Sequence, residues 1–375
     1  MSRNEAYDEA IEKIEIARRS GAKRLDLRGR QKESSQYLTE IPISISKLTR
    51  LRSLNLSDNY LTELPDGFGQ LTELRTLDLS RNWLVTLPES VTRLPALVSL
   101  NVDWNQLVSL PSSLGNLRHL KSLRALSNKL TELPDSLCQL TGLQELYVWQ
   151  NKLKTLPECL EKLTQLRALD ISNNELTFLP EWIGRMRHLR YLSLDGNRIR
   201  VLPEFLGTLE ELELLSISKL DLETIPDFLC NLKDLTCLRV GGKSLRALPS
   251  CLSELMQLRE LHISQTTLTR LPDSLGKLTQ LRSLHLEYNE LESLPESIGQ
   301  LKHLRDLDLR VNKLPTLPPS TKEINRTDRL VAWVRPGRQS AQSTSRICAP
   351  LSKITHLGFI EMSIGITARL DWRIK

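Results

Sequence analysis

Prolines recur at positions 42, 65, 88, 111, 134, 157, 180, 203, 226, 249, 272, 295 and 318, and every interval is 23 residues. No insertion or deletion interrupts the count. A chain with this regularity is an array of similar units, each burying its apolar face against its neighbours. The usual conversion of 375 residues into two or three globular domains does not apply to such an array.

A second ladder keeps the same step, with Asn59, Asn82, Asn105, Asn128, Asn151, Asn174 and Asn197, then Asn289 and Asn312. Within one unit, Leu74, Leu77 and Leu79 carry the alternation of a short strand with one buried face. Asn82 follows where the chain must turn, and a buried amide there can pair the backbone groups that a bend leaves open. Leu84 and Leu87 return inward, and Pro88 is expected at the first position of a short helix. An acidic residue usually comes next (Asp66, Glu89, Asp135, Glu158), the charge that a helix N-terminus favours.

The pattern LxxLxLxxNxLxxLPxxφxxLxx, as in residues 51–73 and 281–303, resembles the 23-residue leucine-rich repeat. It is similar to plant intracellular Ras-group-related proteins, the Scribble and Erbin scaffolds, and bacterial homologues. The resemblance spans about residues 38–319. It implies an α/β fold, a right-handed leucine-rich-repeat solenoid with parallel strands on a concave face and short helices on the convex side. Twelve strand blocks begin at Leu51 and recur to Leu304. At one strand spacing each they line an arc on the order of 50–60 Å, suited to a folded protein partner. By the same resemblance that partner is a small GTPase or a signalling enzyme.

The ends read differently. Residues 1–37 are expected to form a capping helix, with Ala10, Ile11, Ile14 and Ala17 on its inner face, and an incomplete first repeat containing a surface insertion over 29–37. Residues 38–319 hold the repeats, 320–350 read as a basic flexible linker, and 351–375 form a tail with no assigned structure. From Ser320 onward there are ten basic and four acidic residues, so this end carries the whole net charge of +6. A formally neutral repeat body argues against nucleic acid as the partner. No apolar run suggests a membrane span, and six cysteines without metal-ligand spacing suggest a reducing compartment. The expected protein is a cytoplasmic monomer without a cofactor.

Positions between and just after the strand leucines should face the concave surface. Trp83, Trp104, Arg124, Leu126, Tyr147, Trp149 and Tyr191 are the expected partner-binding anchors, with Asp103 and Asp170 on their polar rim. Tryptophan, tyrosine and arginine in one exposed patch match the composition of binding hot spots. A weaker candidate is a metal site at His262, His285 and Asp308, which share one column in successive units beside Glu260 and Asp306. At that end Leu220, Lys243 and Thr266 replace the ladder asparagine, which should loosen the turns.

No phosphate-binding loop, nucleophile elbow, zinc-protease helix or paired CxxC occurs, so the chain does not read as an enzyme. The leading expectation is a scaffold or adaptor in intracellular signalling. The alternative is a bacterial effector or defence-related recognition protein acting on host proteins. An enzyme or sensor built on the histidine column and a product that has lost a C-terminal domain are the remaining readings.

Overall fold

The computed structural model describes residues 5–29, 37–324 and 331–333. Helix α1 (Glu5–Ser20) precedes a single 14-stranded parallel sheet whose strands follow one another in chain order. They are β1 (Arg24–Asp26), β2 (Ser53–Asn55), β3 (Thr76–Asp78), β4 (Ser99–Asn101), β5 (Ser122–Arg124), β6 (Glu145–Tyr147), β7 (Ala168–Asp170), β8 (Tyr191–Ser193), β9 (Leu214–Ile217), β10 (Cys237–Gly241), β11 (Glu260–Ser264), β12 (Ser283–His285), β13 (Asp306–Asp308) and β14 (Val331–Trp333). The register follows the sequence period: Leu54 pairs with Leu77, Leu77 with Leu100 and Leu100 with Leu123. Stacked leucines thus form one continuous core, which no unit could bury alone.

The asparagine ladder fastens neighbouring turns. The Asn82 amide donates to the Leu79 carbonyl in its own unit at 3.0 Å and to the Leu56 carbonyl in the preceding unit at 2.9 Å. Its oxygen accepts the Leu61 N–H at 3.0 Å. Every ladder asparagine except the half-buried Asn312 is buried, so these bonds satisfy backbone groups that water does not reach. The residue just before the asparagine takes a left-handed conformation in unit after unit, as at Arg81, Trp104 and Gln150.

The convex segments are 3-10 helices of five residues, such as Glu89–Arg93, or of three at Leu114–Asn116, the short runs in which this helix type occurs. Pro88 lies one position earlier than expected, as an extended N-cap with φ −68° and ψ 148°. The acidic residue, not the proline, therefore opens the helix. Inside α1, Ala6, Ala10, Ile14 and Ala17 are buried, whereas Ile11 is 39 % exposed and leaves the expected inner face. No helix among the described residues is long and apolar enough to cross a membrane.

Where the asparagine is missing, the turns are not looser. Strands β9, β10 and β11 lengthen to four, five and five residues, so backbone pairing takes over from the side-chain amide. The two glycines there permit it. A Cβ on Gly241 would lie 2.6 Å from the Ser264 carbonyl, and one on Gly242, at φ +150°, would lie 2.3 Å from that of Leu220. Thr266 is held by Asn289 of the next unit, whose amide oxygen accepts the Thr266 N–H at 3.0 Å.

Repeat architecture extends past residue 319. Helix α2 (Thr321–Ile324) packs Ile324 into the core, and β14 adds a strand to β13, so these residues are not free linker. The rest of the 320–350 expectation, most of the 29–37 insertion and all of 351–375 lie outside the described residues.

Two disulfides cross the convex side. Cys138–Cys159 and Cys230–Cys251 have Cα separations of 5.6 and 5.9 Å. Both take the same register, from the fourth residue after one proline to the second residue after the next. This pairing runs against the reducing compartment expected from cysteine spacing, because disulfides persist in oxidising settings.

Candidate functional site

Strands β4 to β8 and the residues just after them put side chains onto the open face of the sheet, where they make two sets of contacts across neighbouring units. The Asp103 carboxylate accepts the Arg124 Nε–H at 2.8 Å and the Leu126 N–H at 2.9 Å. The Arg124 guanidinium lies 5.0 Å from the centre of the Tyr147 ring. Tyr147 and Tyr191 approach with ring centres 6.4 Å apart, and the Tyr191 hydroxyl lies 3.3 Å from Asp170. Trp104 and Trp149 meet edge to face at 6.4 Å, and Arg81 lies 5.7 Å from the Trp104 ring centre.

This geometry sorts the expected anchors into three groups. Trp104, Arg124, Tyr147, Trp149 and Tyr191 come together on the open face and keep exposed or half-buried surface. Leu126 does not join them. It is only 5 % exposed, because its neighbours on the curved face cover it. Asp103 and Asp170 are not a rim either, being 4 % and 2 % exposed. They sit beneath the aromatics and fix Arg124 and Tyr191 in place.

Burial raises both carboxylates above the usual range. Asp103 is pushed up to about 6 despite the opposing pull of Arg124 and the Leu126 N–H. Asp170 is also raised by burial, against the Ser172 hydroxyl and N–H and the Tyr191 hydroxyl. Both bonds to Ser172 reach the same oxygen of Asp170.

Trp83 belongs to a different surface. It is 50 % exposed and stacks on Tyr60 at 4.5 Å, and Tyr60 stacks on Tyr37 at 4.5 Å. The stack forms one wall of an open cleft of about 460 Å³ whose other lining includes Asp58, Arg81 and Trp104. Sequence reasoning missed Tyr37 and Tyr60, although their signal was present: Tyr37, Tyr60 and Trp83 are successive members of one 23-residue column.

The histidine column does not assemble the expected metal trio. His262 and His285 lie close, with ring centres 4.4 Å apart, but His285 Nε2 is paired with Asp306 at 2.9 Å. The Asp308 carboxylate is occupied by Arg310, whose Nε–H lies 2.9 Å away and whose backbone N–H adds a further bond. Among the described residues, the ligand atoms of His262, His285 and Asp308 are not gathered within metal-binding distance of one another.

The family model described as a leucine-rich repeat region matches residues 22–128 and 180–290, more than half of the chain. Related repeat models match residues 141–199 and 280–301. No curated protein matches the chain significantly. Among solved structures, a leucine-rich-repeat protein from Leptospira interrogans is 29% identical, with 85% of this chain and 97% of that one covered and a TM-score of 0.56. An internalin from Listeria monocytogenes is 23% identical over 90% of this chain and 97% of its own, with a TM-score of 0.73, a likeness of fold. The ectodomain of a plant membrane receptor kinase from Arabidopsis thaliana, solved in complex with Casparian strip integrity factor 2, is 28% identical. There 79% of this chain and 45% of the receptor are covered, with a TM-score of 0.55. Matching repeat models, the unbroken 23-residue register and the parallel sheet agree, and this chain belongs to the leucine-rich repeat family.

Proposed function

We propose that this chain is a protein-binding module that captures a folded partner on the open face of strands β4 to β8. The observation that carries this reading is the patch of Trp104, Arg124, Tyr147, Trp149 and Tyr191, held from below by Asp103 and Asp170. Aromatic and arginine side chains fixed in advance lose little freedom on binding, which is the property of an affinity hot spot. Trp83, with Tyr60 and Tyr37, extends the contact area along the turns. Leu126 acts as packing under the patch. The Arabidopsis neighbour, captured with its factor, supports a binding role on this fold.

The role is binding without catalysis, by a monomer that uses no cofactor. The finer reading is an adaptor in cytoplasmic signalling, with a small GTPase or a signalling enzyme as partner, and it rests on the repeat subtype alone. In the test, tagged wild type and the Trp104→Ala/Trp149→Ala double variant capture partners from lysate, with crosslinking and mass spectrometry to locate the contacts. Crosslinks concentrated on β4 to β8 and lost in the double variant support the reading. Equal capture by a folded double variant sinks it.

The two disulfides favour a second reading, a recognition protein that works on host or foreign proteins outside the cytosol of its own cell. Cell fractionation with immediate alkylation separates the two. Four alkylated repeat cysteines in the cytosolic fraction support the adaptor, and intact disulfides outside it support the recognition protein.

A further inference from the structure

A separate cluster lies on the same sheet, two to three strands beyond the aromatic patch. Parallel pairing of β10 with β11 sets Cys237 opposite Glu260 and Arg239 opposite His262. Alternation along a strand then places all four side chains on the open face. Cys237 Sγ lies 3.5 Å from Glu260 Oε2, and His262 Nε2 lies 3.6 Å from the same oxygen. The three atoms all fall within 4.8 Å of one another.

We propose that Cys237, Glu260 and His262 form a three-ligand site for one divalent cation of the zinc type. Tetrahedral zinc with bonds of about 2.0–2.3 Å separates its ligand atoms by about 3.3–3.8 Å, so two of the three distances already have coordination values. Thiolate, carboxylate and imidazole are also the ligand set that this borderline-soft ion takes.

The state of each ligand atom supports the assignment. His262 Nε2 is buried with no acceptor closer than Glu260 at 3.6 Å, a gap that an ion between the two would fill. His285, its neighbour in the next unit, has its Nε2 taken by Asp306. Cys237 is a free cysteine, 6 % exposed, in a chain whose other four described cysteines are paired. Leu214 of β9 pairs with Cys237 on one side, whereas Glu260 on the other is exposed, which leaves an entry path and room for water as fourth ligand. Arg239 borders the cluster, and a divalent ion must bind beside that positive charge. On binding, the S–H bond breaks, the sulfur–metal bond forms and the proton leaves to solvent.

The test uses the full chain, stripped with chelator under non-reducing conditions and titrated with cobalt(II). One equivalent should produce the near-ultraviolet absorption of a thiolate–cobalt bond. Cys237→Ser should abolish that band, and Cys348→Ser should keep it. His262→Gln, which leaves the thiol and the fold in place by circular dichroism, should weaken cobalt binding about tenfold or more. Absence of the band in the wild type, its survival in Cys237→Ser, or unchanged affinity in His262→Gln overturns the site.

Discussion

Asp103 and Arg124 lie 2.8 Å apart across neighbouring strands, and that one contact ties a buried carboxylate to an exposed aromatic surface. Asp103 is also bonded to the Leu126 N–H, so its carboxylate cannot follow the arginine if the latter moves. Arg124 is therefore held over Tyr147 before any partner arrives. Binding to such a surface should depend on the ionisation of a residue that the partner never touches.

The pH dependence follows from this. Asp103 is pushed up to about 6 by burial, so the folded protein keeps this proton where the unfolded chain, with an ordinary carboxyl, has released it. A raised carboxyl favours folding below about pH 4, and that contribution is lost as pH rises through about 6, with a ceiling of about 3 kcal/mol. Relative to Asp103→Asn, the wild type should gain stability in urea melts as pH falls through this window. Partner capture should change in the opposite direction, because protonation weakens the hold on Arg124. Carbon-13 titration of the Asp103 carboxyl checks both, and a midpoint near that of an ordinary aspartate removes their basis.

Removing one ladder asparagine should be costly out of proportion to its size. Asn105→Ala leaves the buried Leu84 N–H without its partner and removes one of two amide donors from the Leu79 and Val102 carbonyls, which keep Asn82 and Asn128. With one buried group left unsatisfied and two weakened, the loss should be about 1–3 kcal/mol. The urea midpoint measures it. A loss below 1 kcal/mol, on the order of one surface change, would mean that water replaces the amide.

The fold was legible because it is local and repeated: a 23-residue register states strand, turn and helix again in every unit. Four things escaped. Leu126, Asp103 and Asp170 sit at positions that a single strand would expose, and only the curvature that crowds neighbouring strands covers them. Reading Pro88 as the first helical residue overlooked how little helix follows it, one five-residue 3-10 turn. Cysteines 21 residues apart form no recognised ligand motif, yet that spacing is one repeat less two residues, which sets them on facing convex turns. Cys237 went unweighed beside His262 because its metal partners come from the next strand, not from its own unit.

The disulfides should be detectable directly. A digest under non-reducing conditions, after alkylation of the intact protein, should yield the Cys138–Cys159 and Cys230–Cys251 peptide pairs. Cys237 should react slowly, since burial pushes its thiol up to about 12. Each Cys→Ser pair should lower stability by up to about 3 kcal/mol through the freed loop. Free thiols at all four positions in protein handled without reductant would contradict the convex-side pairing.

Val311 offers a change in the stabilising direction. It occupies the left-handed position before Asn312 at φ +56°, where a β-branched side chain is least at ease. Its side chain is 44 % exposed, so little packing is lost when it is removed. The left-handed conformation costs an L-residue roughly 1–2 kcal/mol, and glycine escapes this while giving back about 0.5–1 kcal/mol of chain entropy. Val311→Gly should therefore raise stability by up to about 1 kcal/mol, whereas Val311→Ile should leave it unchanged or lower. Arg81 holds the equivalent position at φ +55° but contributes its charge beside Trp104, so Arg81→Gly tests the same backbone while also weakening partner capture. Thermal melts of the three variants separate strain from charge: a glycine gain at 311 that is absent at 81 assigns the difference to the lost arginine contact, and no gain at 311 rules out strain as the cause.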